Sequence, residues 1–244
     1  MRALAACVLA AALLAAGCSG SKHKLTVYAA SSLTEVFQRL DPQARFDFAG
    51  SNLLAVQVEQ GARADVFAAA SPKSPQRLFA ERLIDRPRGF ATNRLVLIVP
   101  SGNPGRVTGL GSLMRPDVRL ARGAKGVPAG DYAATLLARW CKSIFVPAGR
   151  CPRARTSEEQ DVKGVLAKVA LGEADAGFVY ATDIRAAGQK VAAIPIPKRL
   201  EATVRYELAV VRSTKHRRQA EEFVRLVLGP KGRAALRHTG FGLP

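Results

Sequence analysis

Residues 25–61 read LTVYAASSLTEVFQRLDPQARFDFAGSNLLAVQVEQG, and this stretch decides the fold. Leu25–Ala30 is a continuous apolar run, the pattern of a buried strand, and it runs straight into Ser31-Ser32. Leu33, Val36, Phe37 and Leu40 then recur at helical spacing, with Ser32 as N-cap and Glu35 three residues later as its capping-box partner. Phe46–Ala49 forms a second short strand. Gly50-Ser51 opens a helix over 52–60, closed by Gly61 at the usual glycine stop. Two strands in succession therefore end on a serine at a helix start.

The alternation continues outward. Asp65–Ala70 and Leu95–Val99 are apolar strands, the second nearly all branched aliphatic and so covered on both faces. Pro100–Gly105 is a turn-rich boundary. Beyond it come a strand at Arg119–Ala121, helices over 129–140 and 162–171, and the strand Ala176–Tyr180. Val204–Val211 is a late strand, and Ala220, Phe223, Val224 and Val227 mark a final amphipathic helix ending at Gly229-Pro230. Strands alternating with helices specify an α/β sheet with crossover helices. Two such groups, the second followed by a strand able to return to the first, imply two lobes joined by crossing strands. Ligands of such sheets bind beyond the carboxyl ends of the strands, where helix N-termini face the crevice.

The N-terminal end is of another kind. Arg2, an apolar run from Leu4 to Ala16 and then Gly17-Cys18 read as a secretory signal at 1–17, too short to span a bilayer. Ala15-Ala16-Gly17-Cys18 resembles the bacterial lipobox, which implies a lipid-modified Cys18 as first mature residue and a membrane anchor outside the cytoplasm. Residues 18–23 are a flexible tether. Lobe 1 is expected over 24–97, completed by 207–244, and lobe 2 over 98–206. Cys7 leaves with the signal, so the folded body keeps Cys141 and Cys151, a pair placed for a disulfide in an oxidising compartment. Lys and Arg outnumber Asp and Glu by 37 to 19, a formal charge of +18. In an exported chain with 6% aromatics and no nucleic-acid-binding module, that charge reads either as a general attraction for anionic solutes and head groups or as a lineage-wide arginine bias without function, ahead of nucleic-acid binding.

Four helix starts share one chemistry: Ser32, Ser51, the segment Val127-Pro128-Ala129-Gly130, and Asp161-Val162. Each leaves backbone N–H groups without partners at the positive end of a helix, so their convergence would form an anion cage. Pro128 suits a first helical turn, where its missing N–H costs nothing. A serine hydrolase would need a positioned base, and His23, His216 and His238 stand in no recognisable motif. Glu35, Asp65 and Asp183 read as caps or solvated charges ahead of acid–base catalysts. Ligands for a metal cation are not clustered, and no cofactor motif is present.

The order and wording of these segments resemble the molybdate-binding proteins of bacterial molybdate importers, of the type II periplasmic binding protein fold. The matching phrases are TVYAASSL at 26–33, FAGSNLLA at 48–55, QVEQGARADVFAAAS at 57–71, NRLVLIVP at 93–100, VPAGDYA at 127–133, GEADAGFVYATD at 172–183 and Gly240-Phe241. The resemblance implies a ligand set of Ser32, Ser51, Ala129, Val162 and Tyr180, holding molybdate or tungstate, with sulfate as the alternative oxyanion. It also implies a monomer that hands its ligand to the permease of an ABC importer. The chain departs from the pattern in a shortened segment between the first two serines, in Arg122-Gly123-Ala124-Lys125 where an acidic stretch is usual, and in an insertion between Ala129 and Val162 that carries both cysteines and reads as a stapled surface loop.

Overall fold

The branched run Val96–Val99 is buried on both faces, each residue at most 6% exposed, and each such side chain stabilises the fold by roughly 1.5–3 kcal/mol. In the computed structural model, which describes residues 24–147 and 150–244, this run lies in the strand β4 (Arg88–Pro100). The signal 1–17, the tether 18–23 and Cys18 lie outside the described residues. Among the described residues, nine strands form one sheet that changes character along β4. The first half of β4, Arg88–Arg94, pairs antiparallel with β9 (Thr203–Val210). From Leu95 on, β4 pairs antiparallel with β7 (Ala176–Tyr180) and β8 (Val191–Ile194).

On the β9 side lie three parallel strands, β2 (Arg45–Ala49), β1 (Thr26–Ala30) and β3 (Val66–Ala69). On the β7 side, β5 (Arg119–Gly123) runs parallel to both β7 and β6 (Arg155–Glu159). The chain thus builds two parallel three-stranded groups, joined through the antiparallel strands β4 and β9. Helices α1 (Thr34–Leu40), α2 (Ser51–Glu59) and α3 (Lys73–Ala80) follow the first group. Helices α4 (Pro128–Ser143), α5 (Val162–Ala170) and α6 (Ala181–Ala187) follow the second. The chain returns through α7 (Arg217–Leu228) and α8 (Pro230–His238) to pack on α1, where the Phe37 ring meets Phe223 edge-on at 5.3 Å.

Several readings of the sequence need correction. Ser32 is not an N-cap: residues Ser31–Leu33 form a 3-10 turn ahead of α1, and no side chain caps that helix. Glu35 reaches Lys163 at 2.7 Å, an ion pair between the two halves, not the backbone of Ser32. The last amphipathic helix is followed by a second, α8, because Pro230 takes a first-turn position where proline starts a helix. Strand β6 reads as polar, RTSEE, since it lies at the edge of the sheet. The insertion between Ala129 and Val162 is partly helical: Cys141 sits in the last turns of α4 and is disulfide-bonded to Cys151, tying the loop back to the helix.

Candidate functional site

Parallel strands deliver their carboxyl ends to one edge, and here both groups present that edge to the same cleft. At the end of β1 stand Ser31 and Ser32; at the end of β2, Gly50 and Ser51. Across from them are Val127, Pro128 and Ala129 at the start of α4, Asp161 and Val162 at the start of α5, and Tyr180 at the end of β7. All five residues singled out in the sequence, Ser32, Ser51, Ala129, Val162 and Tyr180, line this cleft, and each is at most 4% exposed. The cavity is about 10 Å³. That is far short of a sugar, an amino acid or a nucleotide.

The donors are neutral and only partly engaged. Ser51 Oγ accepts the Ala70 N–H at 3.1 Å, which leaves its own proton to donate. Ser32 Oγ lies 2.9 Å from Tyr206 Oη. Tyr180 Oη is buried and has no hydrogen-bond partner among the described residues. Burial pushes the Tyr180 phenol well above its ordinary range, so it remains a protonated donor. The backbone supplies the rest. In α4, Asp131 N–H bonds Val127 O, so the N–H groups of Ala129 and Gly130 ahead of it have no intrahelical acceptor. In α5, Asp161 Oδ1 accepts the Gly164 N–H at 2.9 Å and leaves those of Val162 and Lys163.

Two glycines set the close approach of these ends. A Cβ on Gly130 would come within 2.2 Å of Gly123 O, so only glycine lets the first turn of α4 pack on the exit of β5. A Cβ on Gly50 would come within 2.4 Å of Gln160 O, on the opposite side of the cleft. The halves touch at that point. Two ion pairs also span the cleft, Glu35 to Lys163 at 2.7 Å and Lys73 to Asp131 at 3.0 Å.

Beneath the cleft lie groups the sequence reading did not assign to it. Asp183 is buried and accepts the Tyr180 N–H at 3.0 Å, fixing the backbone that carries the phenol. Burial raises its pKa to about 6, against the opposing pull of Lys163, whose Nζ lies 3.6 Å from Oδ1. Tyr206, from the crossing strand β9, meets Ser32 from 174 residues away in sequence, Asn93, from the crossing strand β4, meets Thr182, and no local motif marks either. A larger cavity of about 240 Å³ opens beside Ser32, between α1, α6 and the end of α8. Its lining includes Glu35, Arg39, Thr182, Arg185 and His238.

The serines and carboxylates named in the sequence are engaged with other groups. Neither serine hydroxyl is bonded to an imidazole or a carboxylate: one meets Tyr206, the other a backbone N–H. Asp65 accepts the Thr26 N–H at 2.7 Å, and Glu35 and Asp183 are engaged as described, so all three carboxylates named in the sequence have structural partners. Among the described residues no three His, Cys, Asp or Glu side chains are grouped to hold a metal ion, and no helix is long and apolar enough to cross a membrane.

Comparison with known proteins agrees with this geometry. Residues 25–242 match the family model of the bacterial extracellular solute-binding proteins. The molybdate-binding protein ModA of Mycobacterium tuberculosis is 33% identical over 239 residues, covering 94% of this chain and 88% of that protein. The fold is shared with the periplasmic molybdate-binding protein of Azotobacter vinelandii, at a TM-score of 0.75 and 22% identity over 91% of this chain and all of the other. It is shared as well with the sulfate-binding protein SubI of Mycobacterium tuberculosis, at a TM-score of 0.72 and 17% identity over 89% and 86% of the two chains.

Proposed function

The chain belongs to the bacterial extracellular solute-binding proteins, in the family of the molybdate-binding proteins, and from that membership we propose that it captures molybdate or tungstate outside the cytoplasm and delivers it to the permease of an ABC importer. One observation carries the reading: helix and strand ends from both halves converge on a cavity of about 10 Å³ with hydroxyl and N–H donors and no cationic side chain in its lining. Fixed neutral donors can replace the hydration shell of a dianion, and helix N-termini add a favourable field. The ligand is the oxyanion, and no cofactor is needed.

In this reading Ser32, Ser51 and Tyr180 donate hydroxyl protons, and Ala129 and Val162 donate backbone N–H groups. The lobes are 24–97 with 207–244, and 98–206. Their hinge is the pair of crossing strands, and ligand bridges them. Cys18 carries lipid and anchors a monomer to the membrane through the tether 18–23. Cys18→Ala should release the protein from the membrane fraction; a variant as membrane-bound as the parent would exclude the anchor.

Calorimetric titration with molybdate, tungstate, sulfate and phosphate tests the ligand assignment. Molybdate and tungstate should bind at least tenfold tighter than sulfate, since all three are tetrahedral and only cavity size separates them. Phosphate carries a proton for which the hydroxyls and N–H groups offer no ready acceptor. Tight sulfate with weak molybdate would move the chain to the sulfate-binding class, and no binding of any of the four would end the oxyanion reading.

A further inference from the structure

The hydrogen-bond direction at Ser32 can be read from the floor of the site. Asn93 Oδ1 accepts the Arg94 N–H at 2.9 Å, which fixes the amide orientation, since a flipped amide would set two donors face to face. Its Nδ2 group therefore faces the other way. It donates to Thr182 Oγ1 at 2.9 Å. Tyr206 is fully buried, and Ser32 Oγ, 2.9 Å away, is the side-chain partner of its hydroxyl among the described residues. If Ser32 donated to it, the tyrosine proton would be buried without an acceptor, at a cost of about 1–3 kcal/mol.

We propose that Tyr206 is a positioning residue for oxyanion capture: buried so that its proton finds its acceptor at Ser32, it makes Ser32 Oγ an acceptor on the hinge side and turns the Ser32 proton into the cleft. This rests on the proposed function. The relay runs Tyr206, Ser32, ligand, with each step donor to acceptor. Asn93 and Tyr206 belong to the crossing strands β4 and β9, and Thr182 opens α6 in the second half. The donor proton at Ser32 is thus set by the strands that join the halves, and it is aimed before ligand arrives. Ser51 reaches the same state by a shorter route, its oxygen being occupied by the Ala70 N–H. Both serines consequently present protons only.

The test is a double-mutant cycle on molybdate affinity, with Ser32→Ala, Tyr206→Phe and the double variant titrated beside wild type. Phenylalanine keeps the edge contacts of the ring with Phe90, Tyr180 and Phe241, at 6.0, 6.0 and 5.3 Å. Tyr206→Phe should weaken binding by about three- to tenfold, and the double variant should bind no more weakly than Ser32→Ala alone. A merely structural role would lower affinity in both backgrounds alike. Wild-type affinity in Tyr206→Phe, or losses that multiply, would overturn the inference while leaving the functional reading intact if Ser32→Ala is weakened. Wild type that takes no molybdate overturns both. Should Tyr206→Phe fail to fold, 3-fluorotyrosine placed at position 206, a stronger donor of nearly the same shape, replaces it: an affinity change absent from the Ser32→Ala background supports the inference, and wild-type affinity defeats it.

Discussion

Replacing Tyr180 with phenylalanine separates the needs of the fold from those of the ligand. The Tyr180 hydroxyl is buried without a partner among the described residues, while its ring packs on Tyr206 at 6.0 Å. A buried unsatisfied hydroxyl costs about 1–3 kcal/mol, and the variant removes that cost while keeping the ring. Ligand-free Tyr180→Phe should therefore be at least as stable as wild type, with Tm rising by about 2–4 °C for each kcal/mol recovered in a chain of this length. Molybdate binding should move the opposite way. Loss of one charge-assisted hydrogen bond, about 1.5–3 kcal/mol, corresponds to a roughly ten- to hundredfold weaker Kd. Thermal unfolding without ligand and calorimetric titration with it, on the same two proteins, give both signs. A variant that melts lower and binds as tightly as wild type would show that the hydroxyl serves the fold, and the assignment of Tyr180 to the ligand would be refuted.

Ser51→Ala should weaken molybdate by a similar factor but also lose about 1 kcal/mol of stability, because Ser51 Oγ accepts the buried Ala70 N–H; urea unfolding of the ligand-free variant checks the second part. Opening the Cys141–Cys151 bridge with reductant should cost roughly 2–3 kcal/mol, the loop-closure value for so short a ring, and leave molybdate affinity within about twofold, since the bridge lies at the far end of α4 from Ala129. Asp183, raised from 3.8 to about 6 by burial, holds its proton more tightly folded than unfolded. Its contribution is thus fully favourable below pH about 4 and is lost as pH rises through about 6, at up to roughly 1.4 kcal/mol per pH unit in that window. Asp183→Asn should flatten that part of the stability profile measured from pH 4 to 7, and an unchanged slope would remove Asp183 as its source.

What the sequence makes legible is what chain neighbours determine. Apolar runs into serine, glycine or proline mark strand-to-helix junctions, so the α/β class and the helix starts at Ser51, Ala129 and Val162 can be picked out, while Tyr180 comes only from the resemblance to the molybdate-binding proteins. Ser32 reads locally as a cap, but it is the middle of a 3-10 turn and its oxygen meets Tyr206. The capping-box pattern is blind to a partner 174 residues away. Asn93, Tyr206 and Lys163 were missed for the same cause, since a polar residue in an apolar strand or a lysine at a helix start has no local signature until the chain returns. The polar edge strand β6 and the helix α8 after Pro230 escaped because edge strands need not be apolar and proline both ends and begins helices.

The most direct measurement of the central claim is a crystal structure grown with molybdate, with anomalous data collected at the molybdenum edge. One strong peak should lie in the cleft, with the hydroxyls of Ser32, Ser51 and Tyr180 and the N–H groups of Ala129 and Val162 within about 2.6–3.2 Å of its oxygens. A peak held elsewhere, such as in the 240 Å³ cavity beside Arg39 and Arg185, or a cleft whose five donors make no contact with the anion, would contradict the account.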